Sequence, residues 1–265
     1  MGNDLKLAFI GDVVGKPGRR AVRELVPELL NQFGQLDAIV INGENSAGFR
    51  GITHRIFQEL IRAGADVVTT GNHVWAQQDI FGFIDDDERI TRPANYPGKV
   101  PGRGFSVVTM KDGGRLAVIN LAGQLFMAAF NNPFQALDLI LPNLEAETDF
   151  ILVDFHAEAT SEKIAMGWHA DGRVSAVVGT HTHVQTADER ILPEGTAYIT
   201  DVGMTGPHDS VLGIQSDLVL KNFTTMLPAR FQVASSNIKM CGVIIQIDEQ
   251  TGKSTSINRF QLSLL

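Results

Sequence analysis

What most constrains the fold is a series of short apolar segments, each ending in polar side chains able to bind a ligand. Lys6-Leu7-Ala8-Phe9-Ile10 leads into Gly11-Asp12-Val13-Val14-Gly15, Asp37-Ala38-Ile39-Val40-Ile41 into Asn42-Gly43-Glu44-Asn45, and Ala65-Asp66-Val67-Val68-Thr69 into Gly71-Asn72-His73. Segments this short and this apolar read as strands buried on both faces. Helical stretches separate them. Pro17 suits a first turn, after which Val22, Leu25, Val26, Leu29, Leu30 and Phe33 fall on one face. Thr53 suits a cap for a second helix through Ile56, Leu60 and Ile61. Strand, loop and helix in series build a parallel sheet, and ligands bind where the carboxyl ends of its strands open.

Beyond Thr91 the pattern changes. After a proline-rich stretch, Phe105–Val108 and Leu116–Ile119 read as a hairpin joined across Asp112-Gly113-Gly114, so a mixed sheet, or two sheets, is expected. A helix is expected over Phe134–Leu144, then a strand Phe150–His156 ending in a histidine, and a helix over Ser161–His169. The strand Val174–Val178 runs into Gly179-Thr180-His181-Thr182-His183. Ala197–Thr200 reads as a strand, Gly203-Met204-Thr205-Gly206 as a turn and Asp217–Met226 as a helix, with closing strands at Met240–Asp248 and Ser254–Leu262. With no repeat, low-complexity tract or clear linker, the expectation is one domain over residues 1–265.

Composition narrows the partners. A hydrophobic fraction of 44% over 265 residues supplies a sizeable core. The formal charge of -8 argues against a long nucleic acid, whose binding relies on clustered Lys and Arg. A small anionic substrate remains compatible if a metal supplies local positive charge. The single cysteine, Cys241, makes no intrachain disulfide and reads as a buried strand thiol. Met1-Gly2-Asn3-Asp4-Leu5-Lys6 resembles neither a signal peptide nor a myristoylation signal, and no apolar run approaches the ~20 residues of a membrane span. The expected setting is the cytoplasm, away from membranes, and the sequence leaves homo-oligomer formation open.

The strand ends together carry the chemistry. Asp12, Glu44, Asn45, Asn72, His73, His156, His181 and His183 all follow apolar runs. Each has an ordinary reading by itself: Asp12 a turn residue, Asn72 a cap, His156 a packed core histidine, and His181 and His183 satisfied or surface imidazoles. Jointly, those readings require every strand end to carry such a residue by accident. Histidine is the commonest metal ligand. A donor set this large exceeds what one four-coordinate zinc uses, whereas two ions sharing a bridging group use all of it. Glu44 suits the bridge because a carboxylate has two oxygens, where an imidazole offers one free nitrogen.

These motifs, with His156 between them, resemble the calcineurin-like metallophosphoesterases. The run from His156-Ala157-Glu158-Ala159-Thr160-Ser161-Glu162-Lys163 to Thr186-Ala187-Asp188 resembles their YmdB-like branch of 2′,3′-cyclic nucleotide phosphodiesterases. The resemblance extends from Ile10 to about Gly206. It implies an α/β fold, a four-layer αββα sandwich of two mixed sheets flanked by helices. It also implies two divalent or mixed-valence metal ions, iron or manganese with zinc as an alternative. Asp12, Asn45 and His183 would hold one ion, Asn72, His156 and His181 the other, with Glu44 bridging and His73 as proton donor. Val14 stands where the wider superfamily has a histidine, and Asn45 would complete that shell.

The implied substrate is a small phosphodiester such as a cyclic nucleotide, opened by metal-activated hydroxide to a 3′-monophosphate. Substrate-binding residues are not assigned. Phe49 and Trp75 stand near the motifs with a choice between base stacking and packing, and Lys16, Arg19, Arg50 and Lys163 read first as surface cations. Two other functions stay open: a metal- and nucleotide-binding regulator with little catalysis, and hydrolysis of another bond such as an amide. The latter fits less well, because the His-x-His comes late in the chain.

Overall fold

The computed structural model describes residues 4–111, 113–148 and 150–264, so Met1–Asn3 and the Asp112 position of the expected hairpin turn lie outside the described residues. The first half runs β1 (Leu5–Ile10), β2 (Asp12–Val13), α1 (Gly15–Phe33), β3 (Ala38–Asn42), α2 (His54–Arg62), β4 (Val67–Thr69), β5 (Ile90–Thr91), β6 (Phe105–Thr109) and β7 (Arg115–Ala122). The second half runs α3 (Pro133–Leu144), β8 (Phe150–His156), α4 (Thr160–Ala170), β9 (Ala176–Thr180), β10 (Arg190–Ile191), β11 (Ala197–Ile199), β12 (Met204–Pro207), α5 (Ser216–Thr225), β13 (Ile238–Ile247) and β14 (Ser254–Ser263).

The strands form two mixed sheets. One has the order β2-β12-β13-β1-β3-β4-β5, with β14 also on β13, and the other β10-β11-β9-β8-β7-β6. In the first, β1, β3, β4 and β5 are parallel and β13 opposes β1. In the second, β7, β8, β9 and β11 are parallel, and β6 forms the expected hairpin with β7.

Alternation along the strands builds the layers. In β1, Leu5, Leu7 and Phe9 pack between the sheets with Val40, Leu152 and Val178. Ala8 and Ile10 face the other way, onto Val22, Leu25 and Leu29 of α1 and Phe57 and Leu60 of α2. In β8, Ile151, Val153 and Phe155 turn outward to Leu137 and Leu141 of α3 and Met166 of α4. Three apolar cores between four layers give the αββα sandwich, and burial on both faces explains why the strands read as continuous apolar runs. Among the described residues no helix is long and apolar enough to cross a membrane.

Two local readings are corrected. Gly203–Gly206 is not a turn, because Met204 and Thr205 pair in parallel with Asp12 and Val13, and Gly206 pairs with Lys239. The segment after Ile10 is correspondingly a short strand that holds Asp12 rigidly. Gly11 permits this approach, since a Cβ there would stand 1.9 Å from the Gly203 carbonyl oxygen. The strand before the His-x-His also begins and ends two residues later than its apolar pattern indicates, at Ala176–Thr180.

Candidate active site

The carboxyl ends of five parallel strands from both sheets point to one place. β1 delivers Asp12, β3 delivers Glu44 and Asn45, β4 delivers Asn72 and His73, β8 ends in His156, and β9 delivers His181 and His183. All eight residues singled out in the sequence are brought together here. Asp12, Glu44, Asn45, His156 and His183 are buried. His73 and His181 are partly exposed on the wall of a cavity of about 200 Å³, which Phe49 and Glu158 also line.

The inner atoms fall into two groups. His156 Nε2 lies 3.1 Å from Asn72 Oδ1, 3.1 Å from His181 Nδ1 and 3.7 Å from Glu44 Oε1. His183 Nε2 lies 3.2 Å from Asn45 Oδ1 and 3.9 Å from Asp12 Oδ1. Among the described residues, His, Cys, Asp and Glu by themselves form no group of three or more positioned to hold an ion. In both groups an asparagine oxygen makes one of the shortest contacts, so the amides are integral to the arrangement.

The outer hydrogen bonds decide where the protons are. The Thr180 hydroxyl donates to Asp154 Oδ1 at 2.7 Å, so it accepts from His156 Nδ1 at 2.9 Å, which leaves His156 Nε2 as a lone pair. His183 Nδ1 faces the Leu212 carbonyl at 3.1 Å and must carry its proton there, which leaves its Nε2 bare. His181 Nε2 faces Glu158 Oε2 at 3.1 Å, which leaves Nδ1 bare. Asn45 Nδ2 donates to the Phe49 carbonyl at 2.8 Å and turns its oxygen inward. Lone pairs therefore confront lone pairs at 3.1 to 3.2 Å, a repulsive arrangement unless a cation stands among them. Asp12 Oδ1 and Glu44 Oε2 add to this, being buried without a hydrogen-bond partner among the described residues.

The electrostatics agree. Burial, followed by the charge of Asp201, pushes the Asp12 carboxyl up to about 7. Burial, opposed by the His73 N–H, pushes Glu44 up to about 8. Burial and the neighbouring His181 drive His156 well below the usual imidazole value, and burial with Lys163 takes His181 down to about 4. His73 is lowered by burial, Arg50 and His183. Each acidic and basic group at the centre is thus driven toward its neutral form, as expected where positive charge is missing from a donor cluster. The residues fit a pair of metal ions.

Several contributing residues carry no assigned role in the sequence. Asp154 is buried and accepts from Thr69 Oγ1 at 2.5 Å, Thr180 Oγ1 at 2.7 Å and Asn42 Nδ2 at 2.9 Å, tying the two sheets beneath His156. Its signal was available: positions 154 and 156 of one strand share a face. Lys163 is neither solvated nor in the cavity, because it is buried and paired at 2.7 Å with buried Asp201. Asp201 in turn accepts from the Thr182 N–H at 3.1 Å and hydroxyl at 2.8 Å. That clamp fastens a loop in which His181 (φ 98°) and His183 (φ 66°) are both left-handed. Arg19 braces the Ser46 carbonyl at 2.6 Å and Glu59 at 3.0 Å, and Trp75 stacks on Phe81. His208 bonds the Met204 carbonyl, His54 starts α2, and His169 pairs with Asp138 on the surface.

The family described as YmdB-like protein matches residues 8–260. The 2′,3′-cyclic-nucleotide 2′-phosphodiesterase of Bacillus subtilis (strain 168) is 51% identical over 259 residues, covering 98% of this chain and 97% of its own length. Among solved structures, a novel phosphatase from Mycoplasma pneumoniae superposes with a TM-score of 0.92 at 33% identity, covering 99% of this chain and 95% of that one. A hypothetical protein from Thermus thermophilus gives a TM-score of 0.91 at 37% identity, with coverages of 98% and 100%.

Proposed function

The chain belongs to the YmdB-like family, and from that premise we propose that it is a dinuclear metal-dependent phosphodiesterase, one domain throughout, that hydrolyses 2′,3′-cyclic nucleotides to 3′-monophosphates. The observation that carries this reading is the confrontation of unprotonated acceptors, with His156 Nε2 3.1 Å from both Asn72 Oδ1 and His181 Nδ1, and His183 Nε2 3.2 Å from Asn45 Oδ1. In this reading Asp12, Asn45 and His183 would hold one ion and Asn72, His156 and His181 the other, with Glu44 available to both. Mixed nitrogen and oxygen donors suit iron or manganese, and zinc is compatible. When bound, the two cations supply positive charge beside the phosphate oxygens and acidify water to hydroxide near neutral pH.

The protein's own groups do the rest. His73 stands on the cavity wall with its backbone N–H on Glu44 Oε1 at 2.5 Å, which ties its position to that of the carboxylate. As hydroxide oxygen bonds to phosphorus and the bond from phosphorus to the ribose 2′ oxygen breaks, His73 would give a ring proton to that oxygen from its imidazolium form, which burial and Arg50 disfavour in the free site and an anionic phosphate beside it favours. A positioned general acid contributes ~10²–10⁴-fold. Glu158, through His181 Nε2, keeps the other ring nitrogen turned inward.

Manganese- or iron-loaded protein is expected to open 2′,3′-cyclic nucleotides, and a chelator to abolish the activity until metal is restored. His73→Ala and Glu44→Gln are expected to lose at least ~100-fold in kcat with an unchanged circular dichroism spectrum. Full turnover in both variants would refute the assignment.

A further inference from the structure

A second cavity, of about 420 Å³, adjoins the candidate site. Gly48, Phe49, Arg50, Ile214, Phe231 and Val233 line it. Two features set it beside the catalytic cavity. Phe49 is a wall of both, its ring standing edge-on to His183 at 6.4 Å. One short loop also serves both, since Leu212 lines the smaller cavity and Ile214 the larger. The larger cavity is built on fixed backbone: the Ala234 N–H donates to the Gly213 carbonyl and the Gln215 N–H to the Gln232 carbonyl, each at 2.9 Å. Its size is that of a small-molecule pocket.

We infer that this cavity is the nucleobase subsite, in which the base of the substrate lies against Phe49 and Phe231 while the phosphate end occupies the histidine-lined cavity. The inference rests on the cyclic nucleotide reading above and supplies the substrate contacts that reading lacks. Two aromatic side chains and the aliphatic Ile214 and Val233 offer a stacking surface, and Phe231 is about half exposed (47%) with no other ring against it among the described residues, leaving its face open to a base. Of the lining side chains Arg50 alone is charged. Stacking, which every base provides, supplies the main contact, with Arg50 and Gln232 the polar side chains of the lining.

The test compares wild type, Phe231→Ala and Phe231→Trp, all manganese-loaded, on adenosine 2′,3′-cyclic phosphate and on ethylene phosphate, a five-membered cyclic diester without a base. Calorimetric binding of adenosine 3′-monophosphate gives a second readout independent of turnover. Losing one stacking ring corresponds to about a 5- to 150-fold loss. Phe231→Ala is expected to lower kcat/KM for the nucleotide and affinity for the monophosphate by that factor, to leave ethylene phosphate hydrolysis unchanged, and to be rescued by Phe231→Trp. Equal effects on both diesters, or unchanged nucleotide affinity in Phe231→Ala, overturn the subsite. Phe231-dependent nucleotide binding without hydrolysis upholds the subsite and overturns the catalytic reading instead.

Discussion

Replacing Lys163 with methionine tests whether the loop carrying His181 and His183 is held by a buried ion pair. The Lys163 ammonium lies 2.7 Å from Asp201 Oδ2, and both side chains are about 1% exposed. Methionine keeps most of the stem volume near Gly179 but leaves the Asp201 carboxylate buried without its cation. Removing one member of such a pair costs ~3–5 kcal/mol. Here the Thr182 N–H, the Thr182 hydroxyl and the Gly203 N–H still donate to Asp201, at 3.1, 2.8 and 2.8 Å, which places the cost at the lower end. With an unfolding entropy of about 2.1 cal/mol/K per residue, a loss of ~3 kcal/mol lowers Tm by about 5 °C in a chain of 265 residues. A surface lysine would give a change within about 0.5 kcal/mol, or roughly 1 °C.

The assay is thermal unfolding followed by circular dichroism, with a urea titration to verify that the m-value is unchanged. Lys163→Met/Asp201→Asn is the control. Asparagine at 201 keeps an acceptor for Thr182 without a buried charge, so the double variant is expected to be less destabilised than the sum of the two singles, by about 0.5–3 kcal/mol. A Tm within about 1.5 °C of wild type for Lys163→Met, or strict additivity in the double variant, would show that the pair does not frame the loop.

Two further outcomes follow from the packing. In Gly71→Ala the new Cβ would stand 2.3 Å from His156 Cδ2 and 2.4 Å from Nε2; because His156 is only 1% exposed and anchored on Thr180, its imidazole is displaced, and kcat of the metal-loaded protein is expected to drop ~100-fold with bound metal reduced. Wild-type metal content by plasma mass spectrometry, together with wild-type kcat, would contradict this. Cys241 is fully buried and burial pushes its thiol up to about 12, so at pH 8 roughly one part in 10⁴ is thiolate. Ellman's reagent is expected to leave it untouched in the native protein and to titrate one thiol in guanidinium; stoichiometric labelling within minutes under native conditions would disprove that burial.

The outer architecture was legible where strands are buried on both faces, because an uninterrupted apolar run admits few alternatives: β1, β3 and β8 lie within a residue of their patterns. Gly203–Gly206 misled because glycine and a short span favour a turn locally, while the strand there exists only through pairing with Asp12–Val13 and with β13, contacts remote in sequence. Lys163 misled for a related reason. A lone lysine in a helix reads as solvated, and only the packing of α4 against β9 shows that its partner is a carboxylate 38 positions later.

The same asymmetry runs through the candidate site. Its inner atoms were visible because each follows a strand, and position along a strand is a local property. Of its outer atoms only Asp154 carried a local signal, on the strand face it shares with His156; Thr180, Glu158 and the Leu212 carbonyl did not, because they matter through what they make of their neighbours. Without the Thr180 hydroxyl committed to Asp154, either nitrogen of His156 could carry the proton, and with the other tautomer the contact to Asn72 Oδ1 becomes an ordinary hydrogen bond. What favours cations at this place is therefore less the number of histidines than the acceptors around them, which fix every inward-facing ring nitrogen as a lone pair. A sequence that kept Asp12, His156, His181 and His183 but lost Asp154 and Thr180 would retain the motifs and lose that constraint.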